Sequence, residues 1–293
     1  AFLDPLQLLH NDKLEVFQYS YDVRNSIDDT TEQVAVLQRM YQLGKEDEKV
    51  YQALVDYYMD HNMGKEFQEV AARGDSLFDS EHWTYLHIAS LFDTANCDQF
   101  IDVATHNINR LTSKNTKSFI YTLLAMSYGV VKDNMPTDSA TRKKELLALE
   151  LAAYDSALVY EPDNSGALNN YSYNLATADS ATDADLLKAE RLAARAVKIN
   201  PSDANILDTY AWILHLRGDD LTASIYINKL IRQRNESDEE MTVVEYYHIY
   251  SILAPLDATK AQQYLNLLRE EYRKNPDAVG KDIKTKQAIE KLL

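Results

Sequence analysis

The chain has 293 residues, 45% of them apolar, and a formal net charge of −16 at pH 7. This charge argues against a nucleic-acid partner, because phosphate binding needs clustered Lys and Arg. It favours a neutral or basic partner instead. Only seven Gly and six Pro are present, which leaves little material for β-turns and favours helices. The composition therefore predicts an acidic, all-α protein.

Cysteine content and the lengths of apolar runs bear on whether disulfides, cysteine metal sites or membrane spans are expected. Cys97 is the only cysteine, so neither an internal disulfide nor a cysteine metal site is expected. No apolar run reaches the length of a membrane span. The chain begins at Ala1 without an initiator Met, and we expect a processed or trimmed form, with any signal segment lying before residue 1.

The N-terminal region, residues 1–44, has only weak helical periodicity. Residues 1–29 mix apolar and aromatic side chains, which predicts an irregular N-terminal helix. Thr30 and Thr31 then suit a helix start, and Gly44 suits the end of that helix. We interpret residues 1–44 as a partial repeat or N-terminal cap.

Residues 45–112 contain an internal repeat. Four apolar or aromatic positions of one helix return 34 residues later, the first set being Tyr51, Leu54, Val55 and Tyr58 and the second Tyr85, Ile88, Ala89 and Phe92. The second helices of the two copies, beginning near Phe67 and Phe100, recur at a spacing of 33 residues. Such self-similarity predicts two stacked helix pairs.

The region 163–231 carries the strongest pattern, in two copies separated by Asn200-Pro201. Small and bulky residues alternate along each copy, at Leu168, Tyr171, Ser172, Leu175, Ala189, Ala193 and Ala196 and again at Leu207, Tyr210, Ala211, Leu214, Gly218, Ala223, Ile227 and Leu230. Two helices approach closely only where a small residue faces a bulky one. Because one helix pair cannot bury its apolar face alone, successive pairs must stack.

This alternation resembles the tetratricopeptide repeat. The resemblance implies a single α-α superhelix (solenoid) of six or seven helix pairs over residues 1–293. Three repeats are expected over 117–231, with insertions at 129–141 and 178–185, a last helix pair at 241–276 and a capping helix at 279–293. The polar run 232–240 predicts a loop.

The resemblance also implies a concave groove lined by the first helix of each pair. Groove positions of the two best copies are Asn169, Tyr173, Thr177, Asn205, Asp208, Trp212 and His215. Asparagine side chains there can bond both the N–H and the C=O of an extended peptide. Trp212 either contacts a partner or is covered by an insertion or by the terminal segment. Some family members hold a C-terminal carboxylate with Lys, Arg and Asn at set positions; in the two best copies those positions carry Asn169 and Asp208 but no Lys or Arg, so binding of that kind is not expected.

No catalytic motif, metal-ligand spacing or cofactor motif is found. The leading hypothesis is a non-catalytic scaffold that binds a peptide or protein segment. One alternative is a glycan-binding module of the cell envelope, since the chain has twenty tyrosines; the other is an enzyme built on the same repeats. The stretches 169–173 and 207–212 resemble envelope repeat proteins of Bacteroidetes-type bacteria, which implies a periplasmic or lipid-anchored location, with the cytoplasm as the alternative.

Overall fold

The computed structural model describes residues 30–136, 138–279 and 283–293, together with Lys13 and Phe17. In this part of the chain there are fourteen α-helices, two short 3-10 helices and no β-strand. The all-α prediction is therefore confirmed. The helix expected over residues 1–29 lies outside the described residues, apart from Lys13 and Phe17.

The chain divides into two compact units, residues 1–116 and 117–293. The helices of the first unit are α1 (Thr30–Gln42), α2 (Glu48–Asp60), α3 (Gly64–Phe78), α4 (Glu81–Ser90) and α5 (Asp98–Asn107). The helices of the second unit are α6 (Lys114–Asp133, its first three residues belonging to the first unit), α7 (Ala140–Tyr160), α8 (Ser165–Thr177), α9 (Asp183–Ile199), α10 (Ala204–Leu216), α11 (Asp220–Ser237), α12 (Val243–Leu253), α13 (Ala258–Lys274) and α14 (Ile283–Glu290).

The core of the first unit is built around Trp83, which is fully buried. Its indole Nε1 donates a hydrogen bond of 2.8 Å to Glu48 Oε1, and Tyr51 meets the ring edge-on at 6.0 Å between centroids. Gly74 of α3 lies directly against the indole, because a Cβ placed there would be 2.2 Å from Trp83 Cε3. Only glycine therefore allows α3 and α4 to approach this closely.

The second unit buries the small and bulky positions on which its repeat pattern depends. Leu168 and Tyr171 of α8 are buried, as are Ala189 and Ala193 of α9, and α8 packs along α9 as α10 packs along α11. The pair α6–α7 is joined by stacking of Tyr121 on another tyrosine, Tyr160, with ring centroids 5.8 Å apart.

The helix ends follow from local chemistry. Thr182 and Thr242 each form a capping box at the start of α9 and α12, which satisfies N–H groups that the helix itself cannot bond. Gly44 and Gly218 have φ values of +79° and +83°, the left-handed conformation that glycine adopts without strain. The predicted end of α1 at Gly44 is thus confirmed.

The loop predicted over the polar run 232–240 is wrong, because α11 continues to Ser237. Arg234 explains the extra turns, since its guanidinium donates to Glu245 Oε1 from Nε at 3.1 Å and from Nη2 at 2.9 Å. One member of this polar run therefore has a buried partner, Glu245 of α12. The two expected insertions contain non-helical residues at 134–136, 138–139 and 178–182.

Candidate functional site

The second unit contains a cleft of about 420 Å³, a size typical of ligand sites. Helices α6, α8, α10 and α12, which are the first helices of four successive pairs, line it together with α7. Its polar lining residues are Lys132, Asp133, Glu150, Tyr154, Asn169, Asn170, Tyr173, Asn174, Asn205, Asp208, Thr209, Thr242 and Glu245. Polar side chains from equivalent positions of successive repeats thus converge on one space.

Four of the seven sequence-predicted groove residues line this cleft, and they are Asn169, Tyr173, Asn205 and Asp208. The helical period explains this result, since positions three or four apart on each first helix face the same side. Whether these four bind a ligand stays a prediction. The other three, Thr177, Trp212 and His215, do not line the cleft.

Trp212 is covered, with only 8% of its surface exposed. Its ring stacks on His248 of α12 at 4.0 Å between centroids and lies 5.5 Å from the ring of Tyr247. Of the two alternatives that the sequence left open, covering by the chain itself is correct. Both of these covering rings belong to the next helix pair.

Thr177 and His215 take part in contacts near the ends of their helices. Thr177 Oγ1 donates to the carbonyl of Tyr173 at 2.8 Å. His215 Nδ1 lies 2.5 Å from Asp220 Oδ1 at the start of α11. Both residues therefore have structural partners outside the cleft lining.

One end of the cleft is formed by a buried ion pair between α6 and α7. Lys132 Nζ lies 2.7 Å from Glu150 Oε2, and Asn174 Nδ2 donates to the other oxygen, Oε1, at 2.5 Å. Glu150 has no exposed surface. Gly129 makes room for it, because a Cβ at that position would lie 3.1 Å from Oε1.

Burial governs the proton affinities at this end. It raises the pKa of Glu150, and the ammonium of Lys132 only partly offsets this effect. Burial, followed by the negative charge of Glu150, also raises the pKa of the Tyr154 phenol. The phenol is held by Asn174 Nδ2, which lies 3.3 Å from its oxygen. Lys132, Glu150, Asn174 and Tyr154 thus form one connected polar group.

The opposite end is formed by Arg234 and Glu245. Glu245 accepts from the guanidinium through Oε1 and from the backbone N–H of Thr242 through Oε2, at 2.7 Å. Arg234 Nη2 also reaches Asn205 Oδ1 at 3.3 Å, and Nη1 contacts Glu239. These bonds connect α10, α11 and α12, so this end is fixed by side chains that already have partners.

Two acceptor oxygens at the centre of the cleft lack a donor among the residues that the structure describes. Asp208 accepts from His248 Nδ1 through Oδ2 at 2.8 Å, but its Oδ1 has no hydrogen-bond partner. Asn169 donates to Asn170 Oδ1 at 3.3 Å, and its own Oδ1 is likewise unpartnered. Buried polar atoms of this kind are uncommon in native proteins.

Sequence reasoning missed the charged ends of the cleft. Lys132 lies in a stretch assigned to an insertion, and Glu150 lies in a helix without a recognisable repeat phase. Asn170 and Asn174 could have been found, because a spacing of four residues places them on the same helix face as the cleft.

The described residues hold no cluster of three or more His, Cys, Asp or Glu side chains suited to a metal ion. A helix long and apolar enough to cross a lipid bilayer is likewise absent from the residues searched.

The small and bulky positions of the repeat pattern are buried in the second unit. Leu168 and Leu207 are buried at the bulky positions, and Ala193 and Ala211 are buried at the small ones. This packing agrees with the repeat pattern of the sequence, which resembles the tetratricopeptide repeat. Residues from the first helices of four successive pairs line the cleft.

No protein-family model and no curated protein matches the chain. One similar solved structure is the complex of the TPR2AB domain of yeast Sti1 with pHSP90; it is 12% identical, with a TM-score of 0.31 over 83% of this chain and 96% of that chain. Another is Naa15/Naa10 bound to HypK-THB, 10% identical, with a TM-score of 0.32 over 96% of this chain. The match spans 52%, about half, of that second chain. At these TM-scores neither structure bears on what this chain binds.

Proposed function

We propose that the protein is a non-catalytic interaction scaffold that binds a peptide or protein segment in the cleft of its second unit. The observation that carries this proposal is the set of amide side chains, Asn169, Asn170, Asn174 and Asn205, along the cleft. Asn174 and Asn205 each also bond a neighbouring helix, through Glu150 and Arg234, but the small and bulky positions of the same helices supply the packing of the pairs.

Amide side chains suit an extended peptide. Each offers a carbonyl acceptor and two N–H donors, which can bond the N–H and C=O groups of a peptide backbone in register. Their spacing on neighbouring first helices favours a segment running across the repeats. The ion pairs Lys132–Glu150 and Arg234–Glu245 hold the two ends in place, which lowers the ordering cost of binding.

The glycan alternative, which rests on the tyrosines and requires exposed Tyr and Trp faces, loses Trp212 as a stacking surface. Sugar stacking needs an open aromatic face, and the Trp212 ring lies under His248. The aromatic lining residues of the cleft are Tyr154, which is fully buried, and Tyr173. We therefore expect soluble oligosaccharides not to compete with a bound peptide.

The enzyme alternative would centre on Glu150, whose pKa is raised by burial. A raised pKa is typical of catalytic acids, but it also follows from structural burial. Both carboxylate oxygens of Glu150 are bonded, one to Lys132 and one to Asn174. Because neither oxygen is left for a substrate, we assign Glu150 a structural role at the cleft end.

The test is affinity selection from a random decapeptide pool on the immobilised full chain. The variant Asn170→Ala removes a cleft amide, and Asn266→Ala on α13 is its matched control, since each of these residues accepts one side-chain amide bond. We expect selected peptides to bind Asn170→Ala roughly tenfold more weakly and the control unchanged. Equal binding to both variants, or selection of no peptide, would reject the cleft as the binding site.

A further inference from the structure

The two unpartnered oxygens occupy the same place in successive repeats. Asn169 is the fifth residue of α8 and Asp208 is the fifth residue of α10, and both line the cleft. The nearby donors have other partners. Arg234 bonds Glu245, Lys132 bonds Glu150, and His248 Nδ1 bonds the other oxygen of Asp208. The site thus has two acceptors and no donor assigned to them.

An acceptor buried without a donor destabilises the fold, and a charged acceptor does so more strongly. Asp208 retains only 9% exposure, so water compensates its carboxylate poorly. A ligand that brings a donor to Oδ1 removes this penalty at the moment of binding. The unpartnered oxygens therefore favour one chemical class of ligand, namely a group with an N–H or O–H donor, because only such a group can form a hydrogen bond with them.

The charges of the side chains that line the cleft indicate which kind of donor is favoured. Four carboxylates and one ammonium line the cleft, namely Asp133, Glu150, Asp208, Glu245 and Lys132. Lys132 lies within 4 Å of both Asp133 and Glu150, and Arg234 pairs with Glu245. Asp208 has no Lys or Arg partner among the described residues. A donor that also carries positive charge gains both the hydrogen bond and the electrostatic attraction.

We propose that Asp208, with Asn169, receives a cationic N–H donor of the bound segment, the guanidinium of an arginine or the ammonium of a lysine. This inference rests on the proposed peptide-binding function, and it specifies that the bound peptides contain a basic side chain. Asp208 Oδ1 has almost no exposed surface, so the neighbouring side chains must move aside when the donor enters. His248 keeps its bond to Oδ2 and holds the carboxylate in place.

The first experiment compares matched peptides on the wild-type chain. From the random decapeptide pool, selected sequences are resynthesised with an acetylated N-terminus, with each Arg replaced by citrulline or each Lys by acetyl-lysine. Both replacements keep the length and an N–H donor but remove the charge. We expect a basic residue in every strongly enriched peptide and a loss of roughly ten- to a hundredfold on its replacement, the range of a charge-assisted hydrogen bond.

The second experiment locates the acceptor. Asp208→Asn keeps the shape and can still accept from His248, but it removes the charge; Asp163→Asn removes an equal charge at a site that is 81% exposed and outside the cleft. We expect Asp208→Asn to bind the Arg and citrulline peptides equally, and Asp163→Asn to keep the full preference. The peptide comparison on wild type needs no variant, so it tests the charge requirement even if Asp208→Asn fails to fold.

The outcomes separate the two proposals. Peptides that bind without any basic residue would overturn this inference and leave the proposed function standing. Selection of no peptide would overturn both. Binding that needs a free N-terminal α-amine, and no basic side chain, would assign the cation to the chain terminus and overturn the side-chain assignment. A preference for Arg that survives in Asp208→Asn would place the acceptor elsewhere.

Discussion

Among the described residues, each unit contains an Asp–His pair with a buried carboxylate, and the two pairs differ in how completely they are bonded. In the first unit, Asp75 accepts from Thr84 Oγ1 at 2.8 Å, from His87 Nδ1 at 3.0 Å and from Arg110 Nη1 at 3.1 Å. In the second unit, His248 is the one described residue that donates to Asp208. Asp75 and Asp208 are 8% and 9% exposed, so burial does not separate them.

This difference in hydrogen bonding indicates which Asp–His pair stabilises the fold. The Asp75 network joins α3, α4 and the 3-10 turn after α5, and both carboxylate oxygens have donors. The Asp208–His248 pair leaves Asp208 Oδ1 and His248 Nε2 without partners among the described residues. A fully satisfied network stabilises a unique arrangement, whereas a partly satisfied one keeps bonding capacity for something else.

The largest expected effect is the loss of stability on Asp75→Asn. The amide nitrogen would face donors from Thr84, His87 and Arg110, and breaking a buried charge network typically costs about 3 kcal/mol. Native-state hydrogen exchange of α3 and α4 measures this loss in the free energy of unfolding.

Asp79→Asn is the matched control for this variant, because Asp79 bonds the same guanidinium but is 92% exposed. We expect the control to change the free energy of unfolding by less than about 0.5 kcal/mol. Equal losses for the two variants would show that burial of Asp75 contributes nothing beyond a surface pair.

The pH dependence of stability should have opposite signs at two buried carboxylates. Burial acts to raise the pKa of Asp75, but the bonds from His87, Thr84 and Arg110 outweigh it and lower the pKa. Its contribution is therefore present above the unfolded pKa of about 3.9 and is lost as pH falls through the folded pKa. The pKa of Glu150 is raised by burial, so its contribution is present below the unfolded pKa and is lost as pH rises through the folded pKa.

Chemical unfolding at a series of pH values, with Asp75→Asn and Glu150→Gln as references, tests this difference. Between pH 3 and pH 6, wild type should gain stability relative to Asp75→Asn as pH rises and lose stability relative to Glu150→Gln. The same sign for both carboxylates would mean that the Lys132 ammonium outweighs the burial of Glu150.

The packing of the second unit could be predicted from the sequence, because the buried positions recur at the same places in successive helix pairs. Leu168 and Leu207 occupy one slot and are both buried, and the same period places Asn169 and Asp208 on the cleft face. Contacts of side chains that lie outside the repeat period could not be predicted from the sequence. The Arg234–Glu245 bond starts from a polar run that does not follow the repeat pattern. The stacking of His248 on Trp212 likewise does not follow from the repeat period.

The smallest expected change in stability, and the sharpest test of the contrast, is Asp208→Asn. If Oδ1 truly lacks a donor, the amide keeps the bond from His248 through its oxygen and removes an uncompensated charge. The free energy of unfolding should then stay within about 0.5 kcal/mol of wild type or rise, as measured by hydrogen exchange of α10. A loss close to that of Asp75→Asn would mean that a donor already holds Oδ1 in the free protein. Asp208 would then be a second structural network, and the cleft would have no acceptor waiting for a cation.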